Sequence, residues 1–246
     1  SIAKSGYKEE ELICDDLNKN ANNIHTEFQN MIKREISKEF NKIKGNSKVD
    51  ACDKNIKLQI KKYTGKGFGQ LDRHWVDDLV KSVSDLEPIK LMLIKLCELP
   101  VCEDNKKMCD KTKSIIKLSE KNYTSDELSL FIKTLNDNKK EILNYVFLGT
   151  EQINSPEYII GIQYINKVRK KITIYKISDI INILMNEDFK IRKRKTVFEL
   201  SNTLSFQRKG GDKGNISSNQ IQCKFCFGKF CELYDNEITE KVIINL

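Results

Sequence analysis

Asp50, Gln59 and Lys61 are the residues of this sequence whose types and spacing could do chemistry together. Around them polar and apolar residues alternate: Lys48-Val49-Asp50-Ala51-Cys52, a polar corner at Asp53-Lys54-Asn55, then Ile56-Lys57-Leu58-Gln59-Ile60-Lys61-Lys62-Tyr63. This pattern predicts a hairpin with one wet face, with Ile56, Leu58 and Ile60 on one side and Lys57, Gln59 and Lys61 on the other. Side chains two apart leave a strand in the same direction, so Gln59 and Lys61 can converge with Asp50 across the pair. A carboxylate and an amide oxygen beside an ammonium suit metal-assisted hydrolysis of a phosphodiester. The oxygens would hold Mg²⁺, one or two ions, while Lys61 orients or helps to deprotonate water and offsets charge developing on the phosphate. Glutamine brings one negative charge fewer than an acid, so a further acid is wanted. Of Glu9, Glu10 and Glu11 on the first predicted helix, Glu10 is the choice, making Asp50, Gln59 and Glu10 the expected metal ligands. Taken alone, alternating Lys and Gln also describe a plain solvated strand face.

The elements that must position these residues follow from periodicity. Apolar residues at helical intervals predict helices over Lys8 to Leu17 and Ile24 to Phe40. After the hairpin, Gly65, Gly67 and Gly69 make a loop around Phe68. Asp72 is then placed to cap a helix through Trp75, Leu79 and Val83, and Pro88 to open another through Leu91, Ile94 and Leu96. Thr124-Ser125-Asp126-Glu127 starts a helix that runs towards Leu143. From Pro156 strands dominate: Tyr158 to Ile165, Lys171 to Ile177, a helix from Ser178 to Met185, then Lys190 to Leu200, Thr203 to Lys209 and Gln220 to Phe225. This reads as a mixed α/β (α+β) protein with a catalytic lobe over residues 1–153 and a mixed-sheet lobe over 154–246.

With 246 residues, 39% of them hydrophobic and 32% charged, there is apolar material for a sizeable core, and disorder is excluded. No stretch approaches the roughly 18 apolar residues of a membrane span, and Ser1 to Gly6 lacks a signal-peptide run, so the expected compartment is the bacterial cytoplasm, with no membrane partner. Eight cysteines then read as reduced thiols. Cys223 and Cys226, with Cys231 near, form a CxxC without a second knuckle or a nearby histidine, so structural zinc is not expected. The net charge of +8 fits a polyanionic partner, since each cation that meets a phosphate releases a counterion.

Four separated blocks carry a resemblance. Gly6-Tyr7-Lys8-Glu9-Glu10, the Asp50/Gln59/Lys61 core, Gly67-Phe68-Gly69-Gln70-Leu71-Asp72-Arg73-His74-Trp75, and Gln207-Arg208-Lys209-Gly210-Gly211-Asp212-Lys213-Gly214 leading into Asn219-Gln220-Ile221-Gln222-Cys223-Lys224 follow one another in this order. In these the chain resembles the HinP-type type II restriction endonucleases, from the N-terminus to about Phe225, with a looser middle from about Asn105 to Phe198. That family carries a PD-(D/E)xK nuclease motif in its QxK variant, has a catalytic and a recognition lobe, and includes enzymes that cut GCGC and a relative that cuts CCGG. The resemblance implies a restriction-endonuclease-like fold, a central mixed sheet flanked by helices, with a C-terminal mixed-sheet DNA-recognition lobe. It also implies Mg²⁺-dependent hydrolysis of double-stranded DNA at a short, GCGC-like palindrome, leaving 5′-phosphate ends. A separate cognate DNA methyltransferase would protect the host, and the enzyme would act as a monomer or homodimer.

Base reading needs donors for guanine O6 and N7 and acceptors for cytosine N4. Gln207, Arg208 and Lys209, then Asn219, Gln220, Gln222 and Lys224, present such groups around Gly210 and Gly211. Resemblance places recognition here, with Gln222 and Lys224 the preferred readers. Phe68 and Gln70 follow the catalytic strand, where an insertion against base pairs is reasonable, and Arg73 would hold a phosphate. Phe68 is equally a core residue pinning the loop. Trp75 is expected in the core and His74 beside it as a structural group. Two rival readings stand: a nicking or modification-dependent nuclease on the same fold, and a DNA-binding module that has lost catalysis.

Overall fold

The structure, a computed structural model, describes residues 2–43, 48–65, 67, 69–97, 123–150, 154–192, 197–208 and 220–246. Helical spacing at the start yields α1 (Ile2–Lys19) and α2 (Ile24–Ile32). The second stops short of the expected Phe40 because Lys33 adopts a left-handed conformation, φ 52°, that ends it. Ile36 and Phe40 still bury, but from irregular chain. Asn18 clamps Phe40, accepting from its N–H at 2.7 Å and donating to its carbonyl at 3.0 Å.

The remaining elements, in chain order, are β1 (Asn41–Lys42), β2 (Ala51–Cys52), β3 (Lys57–Thr64), β4 (Gly69–Trp75), α3 (Val76–Ser82), α4 (Lys90–Cys97), α5 (Ser125–Asp137), α6 (Lys139–Leu148), β5 (Tyr158–Ile165), β6 (Val168–Lys176), α7 (Ile177–Met185), β7 (Phe189–Ile191), β8 (Val197–Leu200), β9 (Leu204–Arg208), β10 (Gln220–Phe225), α8 (Phe227–Tyr234) and β11 (Lys241–Asn245). Asp72 therefore lies on a strand and caps no helix; α3 begins only at Val76. Trp75, expected in the core, ends that strand 48% exposed. Thr124 does cap α5, through a capping box with Glu127, but Asn138 separates α5 from α6.

The elements group into two compact units. The first comprises Ser1–Gly69, Phe147–Leu184 and Cys226–Leu246. Its sheet runs β1-β2-β3-β5-β6-β11, parallel between β3 and β5 and antiparallel at the other described pairings, hence mixed. One face packs on α1 and α2 through Leu58, Ile60, Ile160, Ile172 and Ile174 against Ile13, Leu17, Ile24 and Phe28. Over the other face lies α8, with Phe227 stacked 5.5 Å from Tyr175 and 5.3 Å from Tyr63.

The second unit comprises Gln70–Val146 and Met185–Phe225. Its sheet runs β4-β10-β9-β8-β7, and β7 to β10 pair antiparallel. Phe198 is its aromatic centre, stacked on Phe206 at 4.8 Å and meeting Phe131 edge-on at 5.4 Å.

The two units interleave along the chain, unlike the contiguous division expected near Asn154. β5 and β6, expected in the second lobe, complete the sheet of the first; β4 and α3 to α5 belong with the second. The cause is the parallel β3–β5 pair: parallel neighbours need a crossover of a dozen or more residues, and the chain between Thr64 and Tyr158 uses that crossover to build much of the second unit.

Gly161 on β5 lets α8 approach the first unit's sheet, since a Cβ there would lie 2.2 Å from the Phe227 ring. In an ordinary strand, alanine is more stable than glycine by roughly 0.5–1 kcal/mol. Here Gly161→Ala is expected to lower stability by about 1–3 kcal/mol through overpacking, part of which Phe227→Leu restores in the double variant. Urea unfolding checks both; a Gly161→Ala protein as stable as the parent would contradict this packing.

Candidate active site

The hairpin corner is made by a side chain. Asp53, almost fully buried, accepts at Oδ1 from the N–H groups of Asn55 (2.8 Å) and Ile56 (2.6 Å), and at Oδ2 from Ser37 N–H (2.9 Å). This folds Asp53-Lys54-Asn55 into a tight turn and sets the register Ala51 to Leu58. Asp50 lies one step further, donating from its N–H to Leu58 O at 2.8 Å, which brings it alongside Gln59.

The Asp50 carboxylate accepts at Oδ2 from the Ile60 N–H at 2.7 Å and from Lys61 Nζ at 3.3 Å. Both contacts fall on one oxygen. Gln59 is only 2% exposed, and its Oε1 is buried with no hydrogen-bond partner among the described residues. Leaving a buried acceptor unsatisfied costs about 1–3 kcal/mol, so the carboxamide is held there at a cost to stability.

The three consecutive acids of α1 meet three environments. Glu11 is exposed and pairs at 3.5 Å with Lys42. Glu10 is largely covered, 3.2 Å from Lys42 Nζ, and its carboxyl is held above the usual range, first by burial and then by the charge of Asp50; Lys42 and Lys61 partly offset both. Glu9 is 5% exposed and turned towards the sheet. Its Oε1 accepts from Tyr164 Oη at 2.6 Å and lies 3.5 Å from Lys62 Nζ, which itself sits 3.7 Å over the Tyr164 ring. Glu9 thus fastens α1 to β3 and β5, while Glu10 comes under the influence of Asp50 and Lys61. The four residues expected at the centre, Glu10, Asp50, Gln59 and Lys61, all belong to the first unit.

These donors fit a hard divalent cation. Two carboxylates, of which Glu10 is raised by burial and by the charge of Asp50, together with a buried amide oxygen that has no partner among the described residues, form an oxygen set of the kind that Mg²⁺ prefers. Among the described residues no three of His, Cys, Asp and Glu cluster as a ligand group.

The expected DNA-contact residues belong to the second unit wherever they are described. On β10, Gln220, Gln222 and Lys224 share a half-exposed face, while Ile221, Cys223 and Phe225 point into the core. Gln207 on β9 stands opposite Gln222, and Arg208 opposite Ile221. Gln70 on β4 is exposed and accepts a 2.8 Å hydrogen bond from Gln222. Arg73, expected one helical turn beyond the loop, is instead exposed on β4. His74 lies 3.0 Å from Asp72 and 4.4 Å from the Tyr145 ring, as a structural group would. Phe68, Lys209 and Asn219 lie outside the described residues.

Sequence reasoning did not pick out Lys42, Lys62 or Tyr164. Tyr164 is 155 residues from its partner Glu9, and no local signal marks such a contact. Cys226 and Cys231 are thiols whose burial raises their pKa above the usual value.

Comparisons with known proteins bear on the family and the fold. A family model described as the R.HinP1I restriction endonuclease matches residues 33–230. Among solved structures, restriction endonuclease MspI in complex with its cognate DNA superposes with a TM-score of 0.50 at 14% identity, over 82% of this chain and 77% of that one. At that identity the likeness is one of fold. A search of curated proteins returns no match.

Removing the Tyr164 hydroxyl tests the Glu9 anchor. Tyr164→Phe keeps the ring under Lys62 but withdraws the 2.6 Å donor from a buried carboxylate, and is expected to cost about 1–3 kcal/mol in urea unfolding. A loss within experimental error would mean that the bond contributes nothing.

Proposed function

Because the chain belongs to the R.HinP1I restriction endonuclease family, we propose that it is a Mg²⁺-dependent type II enzyme that cuts double-stranded DNA at a short, GCGC-like palindrome and leaves 5′-phosphate ends. The observation that carries this reading is the buried, unpartnered Oε1 of Gln59, beside Asp50 and on the strand that carries Lys61. A bound divalent cation polarises the phosphoryl oxygen and lowers the pKa of the attacking water. Asp50, Gln59 and Glu10 are the residues that would hold it. Among the described residues Oε1 of Gln59 has no hydrogen bond that a cation would have to displace.

Lys61 rests on Asp50 Oδ2 at 3.3 Å, a quarter of its side chain exposed. From there its ammonium orients the attacking water and offsets the charge that grows on the scissile phosphate. The charge of Asp50 acts on Glu10, and Lys42 pairs with Glu10 at 3.2 Å.

The second unit would read the sequence. Gln222 and Lys224, two apart on β10, present a carboxamide and an ammonium to base edges, with Gln220 and Gln207 beside them. Arg208, Lys209 and Asn219 would extend the contact, while Arg73 would hold a phosphate and Phe68 and Gln70 would lie against base pairs. The palindrome suits either a homodimer or a monomer that cuts one strand at a time, and a separate methyltransferase would protect the host site.

Digestion of unmethylated phage DNA with Mg²⁺, followed by sequencing of the ends, is expected to give discrete fragments with 5′-phosphates; chelating the cation should stop it. Lys61→Ala should cut about 100- to 1,000-fold more slowly. Intact DNA bound at one sequence would favour the binding module, and single-strand cuts a nicking enzyme.

Gln59→Met separates chemistry from folding. It removes a buried acceptor without a partner, so unfolding stability should hold steady or rise by about 1–3 kcal/mol while cleavage is lost. A variant that is destabilised in proportion to its loss of activity would make Gln59 a structural residue.

A further inference from the structure

Three carboxamides stand in one row across the second unit's sheet. Gln222 on β10 faces Gln207 on β9 in register, and from β4, the neighbour of β10 on its other side, Gln70 accepts at Oε1 a 2.8 Å hydrogen bond from Nε2 of Gln222. Gln70 is exposed and Gln222 half-exposed, and among the described residues no other hydrogen bond holds either amide. Their strand neighbours Leu71, Ile221 and Cys223 are buried, so the backbone beneath the pair is fixed by the core.

We propose that Gln70 is a positioning residue for Gln222, holding its carboxamide in the orientation that reads a single base pair. This rests on the reading of β10 as the strand that meets the bases. An isolated glutamine on a strand face samples many rotamers and loses that freedom on binding, which weakens it as a reader. Tying Nε2 of Gln222 to Gln70 removes part of that loss before DNA arrives. It also decides which atoms remain. What remains is the Oε1 acceptor of Gln222 beside the second N–H of the same amide, with the amide hydrogens of Gln70 beyond its own Oε1.

An acceptor beside a donor complements a base-pair edge that shows a donor beside an acceptor. In the major groove two edges do so: adenine, with N6–H beside N7, and a C·G pair, with cytosine N4–H beside guanine O6. Guanine N7 and O6 alone would leave Oε1 of Gln222 facing another acceptor. The pair therefore rejects a guanine that stands where the adenine or cytosine should be.

The test is selection of bound sequences from a randomised duplex, with Ca²⁺ as the added cation, by the wild type, Gln70→Met, Gln222→Met, the double variant and Gln70→Glu. Both side chains lie at the surface, so the folded state survives the substitutions. Gln222→Met should lower the preference at one base position by about tenfold or more. Gln70→Met should relax that same position, and the double variant should relax it no further than either single one. Gln70→Glu keeps an acceptor for Nε2 of Gln222, so it should retain the preference at that position while its added negative charge weakens binding to all sequences. The base found there, adenine or cytosine, tells which of the two edges is read.

The proposal is overturned if Gln70→Met leaves the preference intact, if it relaxes a different position, or if the losses in the double variant multiply. A wild type that selects no sequence at all overturns the reading of β10, and this proposal with it. Selection by the wild type that is indifferent to Gln70 overturns the proposal alone.

Discussion

A parallel strand pair cannot be closed by a tight turn, and the pairing of β3 with β5 therefore governs how the chain is laid out. β3 must carry the chemistry at its start and still be covered by neighbours on both sides. β2 supplies one of these through the Asp53 corner; the other arrives only after the chain has travelled from Thr64 to Tyr158. That excursion is long enough to hold helices and strands of its own, and with Met185–Phe225 it forms the second unit. The candidate chemistry and the candidate reading surface thus come from one topological requirement: β3 leads out of the first unit directly into Gln70, the first residue of the second.

Local charge is handled with similar economy. Asp50 and Asp53 are three apart, yet one stands in the candidate site and the other builds the turn that presents it. Asp53 spends both oxygens on backbone N–H groups, whereas Asp50 uses Oδ2 for Ile60 and Lys61. Glu9, Glu10 and Glu11 divide in the same way. About 100° separates successive side chains on a helix, so three adjacent acids cannot face one environment. One turns to the sheet, one towards Asp50 and one to solvent, and anchoring the first helps to fix where the second stands.

The parts of this arrangement governed by near neighbours were legible in the sequence. The alternation of residues 48–63 gave the strand pair and its polar corner, Gln220 to Phe225 gave β10, and Thr124 with Glu127 gave the start of α5. Glu10, the choice among three glutamates, is the one whose carboxyl is raised by burial and by the charge of Asp50. What could not be read depended on distant partners. Residues 33–40 kept helical spacing but lost the helix to one left-handed lysine, and Asp72 looked like a cap until β10 claimed β4 as its neighbour. The assignment of β5 and β6 failed for the same reason. The run Tyr158-Ile159-Ile160-Gly161-Ile162, buried on both faces, is that of a central strand, but nothing local says which sheet it is central to.

Glutamine at position 59 can be understood in these terms. An acid there would be almost fully buried and would stand beside Asp50, with Glu10 near, whose carboxyl is already pushed up by burial and by the Asp50 charge. A third carboxylate in that setting would favour protonation, and a protonated acid turns an acceptor into a donor. The carboxamide offers an oxygen of fixed character at any physiological pH and adds no repulsion to the pair of acids. Its cost is a buried acceptor without a partner in the protein alone, a cost that falls on stability rather than on chemistry. Lys61, two residues along the same face, then has fewer negative charges to balance and rests on Asp50 with a quarter of its side chain exposed.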